Sequence, residues 1–159
     1  MDHVAYLKKS WGLLSKILSG AKRIESRWYQ TKHLPLGKIR AGDTVYFKNS
    51  GELITVSAQV DKVLSFDNLF PIKVREILNQ YGQLDGINSS QFDYFFNLFK
   101  NKKYCLLIFL KNPKSIPAFE VNKTGFGAMS AWITVDNIDT IRLPSGGSKA
   151  VMRRSVKPL

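Results

Sequence analysis

Acidic residues, histidine and cysteine are all scarce in this chain. Twelve Asp and Glu stand against twenty-four Lys and Arg, a formal net charge of +12 in 159 residues. That imbalance points to a polyanionic partner, nucleic acid before an anionic membrane; the plain alternative is a basic protein with no special partner. The one cysteine, Cys105, lies in an apolar run and excludes an intrachain disulfide. Two histidines, His3 and His33, far apart and with a single cysteine, offer no zinc-ligand spacing, so no metal and no cofactor are expected. No run approaches the ~20 apolar residues of a spanning helix, and none at the start resembles a signal peptide. The expectation is a reduced, cytoplasmic protein without a membrane partner. Its length suits one domain able to bury a core without staples.

What the chain has instead is a charged stretch, GAKRIESR, at residues 20–27. Before it, residues 4–8 read as a strand and Ser10 as the N-cap of a helix carrying Trp11, Leu14, Ile17 and Leu18. Gly20 stands where a helix closes in the left-handed conformation. From Arg23 the period becomes two: Ile24, Ser26 and Trp28 point to the core, and Arg23, Glu25, Arg27 and Tyr29 point away from it. Lys22 falls at the junction, where alternation does not fix its direction.

The pattern G-x-K-x-x-E-x-R, met here by Gly20, Lys22, Glu25 and Arg27, resembles the signature of ASCH (activating signal cointegrator homology) domains. The lead-in Leu7-Lys8-Lys9-Ser10-Trp11 and the later Lys38-Ile39-Arg40-Ala41-Gly42-Asp43-Thr44-Val45 resemble that family too. The resemblance implies an α+β fold, a small PUA-like mixed or antiparallel β-barrel with flanking helices. It implies a cleft between barrel and helix lined by the motif's polar residues; the period of two then turns Ile24, Ser26 and Trp28 to the barrel interior. It implies RNA or nucleotide binding, with enzymatic activity only in some members.

The rest of the chain alternates between strand and helix textures. Residues 44–48 and 54–63 read as a hairpin around Asn49-Ser50-Gly51. Pro71 opens a helix closed by Gly82, and Ser90 with Asp93 caps a second that carries Phe92, Phe95, Phe96 and Phe99. These helices, about residues 70–100, read as an insertion in a domain spanning 1–144. Their aromatic stripe reads as core packed on the barrel, the alternative being a platform for stacking bases. Residues 104–110 form a strand covered on both faces; Pro113 and Pro117 bracket a loop before an edge strand at 118–121. The loop TGFGAMS, 124–130, is either a simple turn or a backbone approach to a ligand, and 132–135 with 138–143 close the domain. Residues 145–159 read as a flexible basic tail with Lys149, Arg153, Arg154 and Lys157.

Two functions fit these residues. As a binding module, Lys22 and Arg27 attract phosphate, Glu25 orients Arg27 or accepts from a base amino group, and Lys9, Ser10, Trp11 and Tyr29 extend the surface. Single-stranded or modified RNA, or a nucleotide, is then the partner, because an unstacked base can enter a small cleft. As a hydrolase, Lys22 and Glu25 are the candidate acid–base pair. The resemblance implies either a ribonuclease or an acylcytidine amidohydrolase. The latter uses a lysine, a threonine and a glutamate, and this chain has Glu25 where the threonine would stand, leaving Thr124 or Ser130 to supply a hydroxyl. The plain alternative is that Glu25 and Arg27 form a structural ion pair.

Overall fold

A mixed sheet of β1 (Asp2–Leu7), β2 (Ile24–Tyr29), β3 (Thr44–Asn49), β4 (Ile54–Phe66), β5 (Tyr104–Phe119) and β6 (Trp132–Val135) organises the computed structural model, which describes residues 1–145. The strand order is β2-β5-β4-β3-β1-β6, so sequence neighbours β1 and β2 lie far apart in the hydrogen-bonded ladder. The β1–β3 pair is parallel and the other pairs are antiparallel. The sheet curls into a half-barrel around Ala5, Val45, Phe47, Val56, Val60, Leu106 and Ile108, with Ile17 of α1 (Leu13–Ser19) plugging it. An α+β fold of barrel-like sheet and flanking helices is thus what the chain forms. The tail residues 146–159 lie outside the described residues.

Two helices, α2 (Pro71–Tyr81) and α3 (Phe92–Phe99), cover the outer face of β2 and β5. This corrects the direction expected for β2. Register pairs Ile24 with Phe109, Ser26 with Leu107 and Trp28 with Cys105, all on the side that packs against α2 and α3. Glu25 and Arg27 lie opposite Ile108 and Leu106, which belong to the barrel interior. Alternation was read correctly; a strand covered on both sides has two apolar layers against which its Ile24 and Trp28 side could pack. Trp28 stacks on Phe99 with centroids 4.7 Å apart, so the aromatic stripe of α3 is packed against the sheet.

Other local expectations also change. Ser10 caps nothing: Lys9–Trp11 form a 3₁₀ turn, and Gly12 at φ 60° breaks the path before α1 starts. A left-handed residue there swings Trp11 off the helix axis at little steric cost. The cap before α3 is Asn88 with Gln91, not Ser90 with Asp93. Pro113 and Pro117 lie inside β5, which stays paired with β4 as far as Ile54–Phe119. They fit because β2 pairs with β5 only over Tyr104–Phe109, leaving one edge of β5 without ladder partners that need an N–H. Residues 138–143 form a short 3₁₀ turn and one bridge, Val121–Arg142, in place of a strand.

Beneath the seam between β1 and β6, His3 is fully buried. Trp132 Nε1–H donates to His3 Nδ1 at 3.1 Å, so the ring proton sits on Nε2 and donates to Asp43 Oδ2 at 2.8 Å. Burial holds His3 below its ordinary value, against the pull of Asp43. The folded state therefore binds this proton less readily than the unfolded chain. Stability is expected to fall as pH drops below ~6.5, and His3→Gln is expected to flatten that slope in thermal melts.

Candidate functional site: an aromatic pocket over a buried lysine

Lys22 is the residue the motif buries most unexpectedly, at 4% exposure. Its Nζ donates to Asp85 Oδ1 at 2.5 Å and to the Asp85 carbonyl at 2.9 Å, and lies 3.4 Å from Glu25 Oε2. Asp85 arrives on the turn after α2, which is stitched to β2 by Arg23 and Ile24 N–H groups donating to the Leu84 carbonyl. Gly86, at φ 81°, brings that turn against the Lys22 stem; a Cβ there would meet Lys22 Cβ at 3.3 Å. Ser26 Oγ donates to Asp85 Oδ2 at 2.5 Å and accepts from Trp28 Nε1 at 3.1 Å.

The electrostatics follow from burial and pairing. Burial works against the Lys22 ammonium, but Asp85 and Glu25 outweigh it and hold Lys22 above its ordinary value. Burial, with Glu25 nearby, pushes Asp85 up despite Lys22. Glu25 Oε1 accepts from Arg27 Nε at 3.1 Å, while Glu25 Oε2 is buried without a hydrogen-bond partner among the described residues. The Lys22 ammonium, 3.4 Å away, is its counter-charge, so this oxygen is paired in charge without a hydrogen bond of its own.

Above this floor lies a cavity of about 230 Å³. Trp11, Tyr94, Phe95 and Phe99 supply its aromatic wall, and Lys22, Glu25, Ser26 and Asp85 its polar base. Trp11 meets Phe95 edge-on at 5.4 Å. The space is below the ~300 Å³ at which drug-sized pockets begin, a scale for one small planar ring. With two carboxylates and the Lys22 ammonium in its floor, the pocket favours a neutral polar ring over a free phosphate.

The residues singled out from the sequence are thereby divided. Ser10, Trp11, Lys22 and Glu25 line this pocket. Arg27 and Tyr29 line a different cleft, beside β6. Lys9 is exposed and pairs with Glu52 at 3.4 Å, and it lines neither. Ser130 lies in the Arg27 cleft, and Thr124 in neither. Asp85 and Ser26 were missed. Asp85 is 63 residues from Lys22 and reads as an ordinary Asp-Gly turn, while Ser26 had been assigned to the core by its parity.

No protein-family model matches the chain, and no curated protein matches it. Among solved structures it is similar to ASCH from Zymomonas mobilis, with a TM-score of 0.62 at 14% identity over 87% of this chain and 90% of that one. Two mutant forms of that protein match at the same score and identity, over 87% and 96% of this chain and 93% and 95% of theirs. The chain has the fold of an ASCH domain.

Proposed function

We propose that this chain is an RNA- or nucleotide-binding module whose aromatic pocket takes a single unstacked base. One observation carries the reading: Glu25 lines the floor of an aromatic-walled cavity with a carboxylate whose Oε2 no hydrogen bond meets among the described residues, the Lys22 ammonium standing 3.4 Å away as its counter-charge. A nucleobase has the π-face that Trp11 and Phe95 can stack on and an N–H that Glu25 can receive. The net charge of +12 supports a polyanionic partner, single-stranded or modified RNA first. Cys105 is a buried free thiol, in keeping with a reducing compartment, the cytoplasm. Among the described residues no helix is long and apolar enough to cross a membrane.

Calorimetry at low salt with the four ribonucleosides tests this. Trp11→Ala is expected to weaken binding by about 1–3 kcal/mol through lost stacking. Glu25→Gln is expected to cost about 1.5–3 kcal/mol, because a charged acceptor is replaced. No nucleoside binding by the wild type, or affinities unmoved in both variants, would sink the reading.

A hydrolase reading keeps one specific support, the Ser26–Asp85–Lys22 chain. There a hydroxyl donates to a carboxylate whose other oxygen holds a lysine, and all three line the pocket. Turnover of an acylcytidine that disappears in Ser26→Ala, with binding intact, would favour it over the binding module.

A further inference from the structure

The fold splits the charged motif between two openings. Arg27 lies at the seam where β2 and β6, the two ends of the sheet order, come together. A cleft of about 520 Å³ opens there, walled by Tyr29 and His33 on one side and Ser130 and Trp132 on the other. The guanidinium spans the gap. Nη1 donates to the Ala131 carbonyl and Nη2 to the Tyr6 carbonyl, each at 3.3 Å, and Nε donates to Glu25. Its carbon sits 5.0 Å from the centre of the Trp132 ring.

An arginine has five N–H groups, so each terminal nitrogen keeps one that is unengaged among the described residues. The two engaged ones make long bonds for a charged donor. Among the described residues no Asp or Glu lines the cleft, and Glu25, the one acid among them that touches Arg27, also lies beside Lys22. A cationic fork with two free donors on an aromatic platform suits a tetrahedral anion with several acceptor oxygens.

We propose that the seam cleft is a phosphate subsite, in which the free N–H groups of Arg27 hold a phosphate of the same nucleotide chain whose base enters the aromatic pocket. This rests on the base-binding reading given above. Glu25 joins the two subsites: it lines the pocket, and its Oε1 accepts from Arg27. The loop at 124–130 becomes the outer wall of the subsite through Phe126, Met129 and Ser130.

The test compares the four ribonucleosides, their 5′-monophosphates and a trinucleotide on the full chain, wild type, Arg27→Lys and Met129→Glu. Each monophosphate is expected to bind wild type about tenfold more tightly than its nucleoside. Arg27→Lys is expected to erase most of that ratio, since lysine is a point charge without the fork. Met129 is 96% exposed, so Met129→Glu adds a repelling charge at the wall without disturbing the fold, and it decides if Arg27→Lys does not fold. Because Arg27 also holds Glu25, the readout in both variants is the ratio of monophosphate to nucleoside affinity and not either affinity alone. A trinucleotide that binds more tightly than a monophosphate assigns the subsite to a phosphodiester; equal binding assigns it to a terminal phosphate. Equal wild-type affinity for nucleoside and monophosphate, or a ratio retained in both variants, overturns the subsite and leaves Arg27 as a clamp across the seam. Monophosphates bound through Arg27 with no nucleoside bound would overturn the base pocket and keep the subsite. Binding of none of the probes overturns both.

Discussion

Lys22→Met is expected to lower the unfolding free energy by about 3–5 kcal/mol, because it strands charge that the fold has buried. Lys22, Glu25 and Asp85 are 4%, 4% and 7% exposed, so water cannot take over from the ammonium. Glu25 keeps Arg27, but among the described residues the Asp85 carboxylate keeps only the Ser26 hydroxyl. The double variant Lys22→Met/Asp85→Asn is therefore expected to recover much of the loss, since a neutral amide can still bond Ser26. Chemical denaturation of the two single variants and the double variant measures the coupling. Simple additivity would show that the pair does not hold the turn after α2 to the motif.

Trp28→Ala is expected to cost about 3–5 kcal/mol, and to damage the pocket as well as the core. Trp28 fills the layer between the sheet and α3, stacks on Phe99 within 6° of parallel, and donates to Ser26. Its loss leaves a cavity under the helix that carries Tyr94, Phe95 and Phe99, the aromatic wall of the pocket. Lower stability together with weaker nucleoside binding is the expected pair of results. A variant that loses stability but binds nucleosides as wild type does would separate α3 from the site. Since Trp28 faces away from the barrel interior, the same experiment checks the direction of β2.

The strands and helices were legible because their signals are local. The alternation through 54–60 marked β4, Pro71 marked the start of α2, and the unbroken apolar run at 104–110 marked a strand covered on both sides. The GAKRIESR stretch carried an ASCH resemblance whose expected fold the sheet and helices match. Parity also told correctly that Glu25 and Arg27 share one side of β2. All of this depends on residues within a few positions of one another.

Three things needed the tertiary structure. The first is which side of β2 is the barrel: α2 and α3 supply a second apolar layer, and periodicity counts faces without naming what covers them. The second is the partner of Lys22. A turn aspartate becomes a buried counter-ion only when the chain returns after α2, and its Asp-Gly composition is that of any exposed turn. The third is the separation of Arg27 from Lys22. Five residues apart in sequence, they serve different openings because the strand carries one to the α1 side and the other to the seam with β6. Short-range spacing determined the elements and the local pairing of Glu25 with Arg27; the counter-ion of Lys22 and the opening each charge lines were decided by contacts between residues distant in the chain.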